Sequence, residues 1–148
     1  AEGAALRKEL IDSIQKDTES FTAYMNALGM PKNTDEEKAA RKEAMQNGLK
    51  EAAEVPLAVA ETALKIFHVA GAVVERGNAN AVTDGLVASM MARTAVLSAL
   101  LNVKINLGSI KDEEFVARMA AKVAELEKAA MDGEKAVMEL SALTRDLV

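Results

Sequence analysis

The chain has 148 residues, a formal net charge of −5, no cysteine and a single histidine. That length suits one domain with its own core. The missing cysteines exclude disulfide frameworks and thiolate metal sites, and one histidine cannot build a histidine metal site. Lysines and arginines scattered among acids argue against a nucleic-acid surface or a basic membrane anchor. Alanine is roughly a fifth of the chain, aromatics are 3% and there are two prolines, which favours closely packed helices over sheet. A cysteine-free chain fits a reducing cytoplasm, and no apolar run is expected to be both long and charge-free enough to span a bilayer.

The first helix is predicted from Glu2 to about Leu28, ended by Gly29 and Pro31 in "GMPKNTD". At about 100° per residue, Leu6, Leu10, Ile14, Phe21, Tyr24 and Leu28 share one stripe, and Asp17 lies on it between Ile14 and Phe21. A second helix starts in "NTDEEKAARKEA", where Thr34 is the N-cap, Glu37 completes a capping box, and Asp35 and Glu36 suit the positive helix end. It is expected to reach Val55, with Pro56 kinking it or opening a new helix. From Leu57, Ala60, Leu64, Phe67 and Gly71 form another apolar stripe, ending at "ERGNAN". Thr83 or Asn80 is the expected cap of the next helix, apolar almost all round as far as Asn106. In "NLGSIKDEEF", Ser109 is the expected N-cap of a last helix carrying Phe115, Met119, Leu126, Val137 and Leu140, and Gly133 weakens its middle without demanding a break. No strand periodicity or repeat is visible. The reading is all-α: an antiparallel bundle of about five helices in one domain, residues 1–148. A helix apolar on every side needs more neighbours than five helices supply, so a homodimer is expected.

Three constellations could carry chemistry. Asp17 is either a carboxylate at the bundle's edge or in a structural ion pair, or a general acid/base made useful by partial burial. Asn102 and Asn106, one turn apart in "LLNVKINL", either bond helix to helix or recognise a heterocycle rich in amide-like donors and acceptors. "GNANAVTDG", with Asn78, Asn80, Thr83 and Asp84, reads as an ordinary cap and turn. Lys32, Lys38, Arg41 and Lys42, interleaved with acids, read as a solvated helix face. His68 and the eight methionines read as packing residues.

The blocks "PKNT-EEK", "VPL-AE", "GN-NA" and "NV-INL", in that order, resemble the cyclodeaminase/cyclohydrolase family of folate enzymes, almost continuously from Leu6 to Phe115. Members of that family usually begin with a further helix preceded by a Pro-Gly-Gly-Gly-Ser turn, which this sequence does not contain. The resemblance implies a formimidoyltetrahydrofolate cyclodeaminase or a methenyltetrahydrofolate cyclohydrolase, dimeric, with no cofactor beyond the tetrahydrofolate substrate and no metal. It matches Asp17 to the family's acid/base, and implies pterin and amide contacts from Asn102, Asn106 and Asp84. It also implies that Lys32 and Lys38 meet the carboxylates of the glutamate tail. The alternative is a catalytically inactive helical dimer acting as a scaffold or binding module.

Overall fold

A computed structural model describes residues 2–147. Five α-helices follow one another: α1 Glu2–Leu28, α2 Asp35–Leu64, α3 Ile66–Arg76, α4 Val82–Leu107 and α5 Glu113–Glu139, with 3-10 turns at Ala79–Ala81 and Arg145–Leu147. Pro56 does not end α2. The helix runs through it, and the interruption falls at Lys65, which keeps near-helical dihedrals and donates its N–H to Thr62 O at 3.2 Å. α2 and α3 therefore form one rod, and the antiparallel bundle has four.

The α2 start is the capping box read from sequence. Glu37 N donates to Thr34 Oγ1 (3.2 Å), while Glu37 Oε2 accepts from Asn33 N (2.7 Å) and Thr34 N (3.3 Å). Two other caps differ from expectation. α5 is capped by Asp112, which accepts from Phe115 N at 3.0 Å, and Ser109 belongs to the preceding turn. α4 follows the 3-10 turn capped by Asn78, so neither Asn80 nor Thr83 caps it. A chain already turning as 3-10 satisfies the first N–H groups without a side-chain acceptor.

α2 and α4 form the centre. Ala53, Ala60 and Ala63 of one and Val96, Leu100 and Val103 of the other are buried in a single cluster with Phe67, Met119, Val123 and Leu126. Both rods contain stretches long and apolar enough to cross a membrane by composition alone (Asp35–Arg76 and Ala79–Leu107), so that expectation from sequence is corrected. Here those stretches pack against each other and their neighbours as the bundle's core helices. The two cations of α4 turn to α5, Arg93 to Glu134 at 3.3 Å and Lys104 to Glu127 at 2.5 Å.

The seam of α1 keeps Leu6, Leu10, Tyr24 and Leu28 of the predicted stripe and departs from it in the middle. Leu6, Ser20 and Ala27 are buried and Leu10, Ser13 and Tyr24 half-buried, whereas Ile14 and Phe21 are 68% and 62% exposed. Leu6, Ser13, Ser20 and Ala27 recur every seven residues, the repeat of a helix packed along one partner. The small residues on that line permit close approach: a Cβ on Gly48 of α2 would sit 3.0 Å from Tyr24 Cα. Arg41 then closes α1, donating from Nε (3.2 Å) and Nη2 (3.1 Å) to Leu28 O.

Two exposed stripes remain. On α1, Ile11, Ile14, Thr18, Phe21 and Met25 face solvent; on α4, Val87, Met91, Thr94, Ser98, Leu101 and Ile105 do so. Each advances by alternating steps of three and four, the spacing of a seam between helices. The apolar circumference predicted for α4 is real, and part of it is uncovered.

Candidate active site

α1 and α4 both pack on α2, and their backbones do not approach each other. The gap between them is a groove of about 350 Å³. Its floor is Pro56 and Val59 of α2. One wall is Leu10, Ser13, Ile14, Asp17 and Thr18 of α1; the other is Ala95, Ser98, Ala99 and Asn102 of α4. The groove sets the carboxylate of Asp17 and the carboxamide of Asn102, residues 85 positions apart, on facing walls of a largely apolar recess (102 − 17 = 85). Its volume lies within the range of small-molecule sites, roughly 300–1,000 Å³. A neighbouring recess of about 410 Å³ shares Leu10 and Ile14 but has Arg7 as its only charged side chain, and offers no acid or amide.

Asp17 sits on the flank of α1 shared with Leu10 and Tyr24, seven residues to either side. It is exposed, so the partial burial expected from sequence is not supplied by these residues. Nor does a buried Lys or Arg hold it: among the described residues no ion pair involves Asp17. Only its backbone is engaged, Asp17 O accepting from Ser20 Oγ at 2.8 Å. A carboxylate with no cation beside it, in a recess, can take up a proton and return it.

The two asparagines part company. Asn102 is exposed and lines the groove. Asn106 is half-buried, and its Nδ2 donates to Ala52 O at 2.9 Å and to Asn102 O at 3.0 Å, so both N–H donors are committed to backbone carbonyls. These bonds tie α4 to α2, the structural alternative left open from sequence. Asp84 lies in the first turn of α4, about 27 Å along the helix axis from Asn102 at 1.5 Å per residue, and it is outside the groove. Lys32 is exposed in the turn after α1, and Lys38 is exposed beside Asp35 at 2.9 Å. Both stand at the far end of α1, where Leu28 is about 17 Å along the axis from Asp17. His68 is exposed, with Nδ1 3.4 Å from Glu2 Oε1. Among the described residues no cluster of three or more His, Cys, Asp or Glu could hold a metal.

Fold and groove together describe an all-helical bundle with a recess of small-molecule size that sets a carboxylate opposite a carboxamide. The chain belongs to the formiminotransferase-cyclodeaminase family, whose model matches residues 1–125. It is 44% identical over 110 residues to the methenyltetrahydrofolate cyclohydrolase of Methylorubrum extorquens, covering 74% of this chain and 53% of that protein. It is 36% identical over 132 residues to the formimidoyltransferase-cyclodeaminase of Gallus gallus, covering 89% of this chain and 24% of the other. The crystal structure of formiminotetrahydrofolate cyclodeaminase from Thermotoga maritima superposes with a TM-score of 0.79 at 29% identity, covering 97% of this chain and 66% of that one. The chain thus spans about half the length of the cyclohydrolase and about a quarter of the bifunctional enzyme.

Proposed function

We propose that the chain carries the groove of a folate one-carbon enzyme, with Asp17 as its proton shuttle. The observation that carries this reading is the Asp17–Asn102 groove in a member of the formiminotransferase-cyclodeaminase family. Two reactions suit one carboxylate. In cyclodeamination, N10 of 5-formimidoyltetrahydrofolate attacks the carbon of the protonated formimidoyl group, an amidinium; Asp17 takes the proton N10 loses and gives it to the departing nitrogen, which then carries three hydrogens. Ammonia leaves and the 5,10-methenyl bridge remains. In hydrolysis, Asp17 takes a proton from the water that attacks the methenyl carbon, and the bridge opens to 10-formyltetrahydrofolate. The relative at 44% identity is named for the second reaction and the solved structure for the first.

The remaining parts follow from this assignment. Asn102 offers the pterin both a donor and an acceptor, and the apolar floor of Pro56 and Val59 packs against a flat ring. Lys32 and Lys38 serve the glutamate carboxylates. The open stripes of α1 and α4 pair in a homodimer, which covers the groove's rim and gives Asp17 the shielding that one chain lacks. The cytoplasmic location expected from the cysteine-free sequence belongs to the same proposal, as does the absence of any cofactor beyond the folate.

The test is turnover of both folates by purified protein carrying Asp17 or Asp17→Asn. The substitution keeps the shape and removes the proton transfer, so the rate falls by about 10²–10⁴ while folding and assembly persist. Turnover that survives the change removes Asp17 from the mechanism. Folding with assembly but no turnover in either form favours the scaffold or binding module.

A further inference from the structure

Proline in a helix interior removes one hydrogen bond, because its nitrogen carries no hydrogen for the carbonyl four residues back. In α2 the carbonyl left without that partner is Ala52 O, since Pro56 lies inside the helix. A carbonyl lacking its helical partner in a part-buried interface is costly unless something else donates to it. The donor comes from another helix: Asn106 Nδ2, at 2.9 Å. Its second N–H goes to Asn102 O at 3.0 Å, on its own helix. Two carbonyl partners fix which end of the carboxamide is the nitrogen. Pro56 is part of the groove floor, and Asn102, one turn before Asn106, is part of its α4 wall.

We propose that Asn106 is a positioning residue: its carboxamide replaces the hydrogen bond that Pro56 deletes from α2, and so holds the groove's floor and its α4 wall in register. No substrate contact is assigned to it. It acts through Pro56 and Asn102, and its catalytic consequence rests on the folate reading above, whereas the hydrogen-bond replacement does not. Losing the donor strands Ala52 O and lets α2 and α4 shift relative to one another. Restoring an N–H at position 56 makes the donor redundant.

The experiment is a double-mutant cycle of Asn106→Ala and Pro56→Ala in the full-length protein, read by denaturant unfolding and by KM and kcat for the folate substrates. In the Pro56 background, Asn106→Ala raises the unfolding equilibrium constant about 5- to 140-fold, the equivalent of an unpaired buried polar group at roughly 1–3 kcal/mol. In the Pro56→Ala background the same change shifts it less than about threefold, because the backbone N–H restored at position 56 reaches Ala52 O. KM follows the same pattern, rising several-fold in the first background and little in the second, with kcat less affected because Asp17 stands on α1. A third variant, Asn106→Asp, is most impaired where its carboxylate is ionised and recovers as acid pH protonates it into a donor. An Asn106→Ala that folds only in the Pro56→Ala background supports the proposal. Equal cost in both backgrounds, or no cost in either, overturns it. If the stability cycle behaves as stated but no variant, nor the parent, turns over folate, the positioning of α2 against α4 stands and the folate reading falls.

Discussion

Two helical glycines carry opposite expectations when changed to alanine, and the difference can be worked from distances. Gly133 in α5 lies under the ring of Phe67: a Cβ there would be 2.7 Å from Phe67 Cδ2 and 2.9 Å from Cγ. Ordinary carbon contacts begin near 3.5 Å, so the ring or the helix must move by most of an ångström. The ring is buried, 8% exposed, and has little room to give. Gly71 in α3 would meet only Leu140 Cδ1 and Val137 Cγ2, both at 3.7 Å, which is normal packing. Alanine in a helix interior gains roughly 0.8–1 kcal/mol over glycine at both positions. At Gly71 that gain stands. At Gly133 overpacking of about 1–3 kcal/mol opposes it. Gly71→Ala should therefore raise Tm by roughly 2–4 °C, and Gly133→Ala should leave it unchanged or lower it, for a chain of this size. The gap between the variants, about 1–3 kcal/mol in chemical denaturation, isolates the clash. Two variants of equal stability would mean that Phe67 is not pinned against Gly133, and the α3–α5 contact would be wrong.

Asp112 accepts from Lys50 at 2.6 Å and from Phe115 N, and these bonds hold its carboxyl below the usual carboxylate range. The folded value is the lower one, so its contribution is complete above the unfolded value and is lost as pH falls through the folded one. Wild type should therefore lose more stability than Asp112→Asn between about pH 6 and about pH 3, and parallel urea curves would refute that. Replacing Lys32 and Lys38 with Gln should weaken polyglutamylated folate a few-fold more than monoglutamate, with the difference shrinking in high salt. Identical responses of the two ligands would remove these lysines from the site. If the open stripes of α1 and α4 pair in a dimer that shields Asp17, specific activity should fall as the protein is diluted through its dissociation range. Light scattering showing a monomer at full specific activity would exclude that coupling.

What was legible in the sequence is what is decided within one or two turns. The ends of α1 and the Thr34–Glu37 box follow from neighbours three or four residues apart, and both are found where expected. The serines of the α1 seam were not legible, because Ser13 and Ser20 look like surface residues until α2 is known to pack along α1. Gly133 looked like a mere weakness because its reason, Phe67, lies 66 positions away (133 − 67). The same holds for Asn106, whose partner Ala52 is 54 positions back. One signal could have revealed it: a proline inside an otherwise uninterrupted helical pattern frees the carbonyl four residues earlier, and a carboxamide on an apolar helix is a ready donor. For the groove itself, composition supplied an acid on an unexpected stripe and two amides, but which of them share a recess depends on helix packing.

Leu10, Asp17 and Tyr24 occupy one line on α1, and the outer two are half-buried beside α2. A leucine at the middle position would extend that packing across Pro56 and Val59 and narrow the space between α1 and α4. An aspartate there resists burial without a partner, so the recess stays open along its length. The same substitution that costs the bundle apolar contact thus leaves both a cavity and a proton acceptor facing into it. Opposite, four residues of α4 advance the helix by about 400°, some 40° past a full turn. That offset is enough to place Asn102 on the groove and turn Asn106 back toward the carbonyl that Pro56 left free. A single proline borders both asparagines: it lies in the floor that Asn102 overlooks and frees the carbonyl to which Asn106 donates.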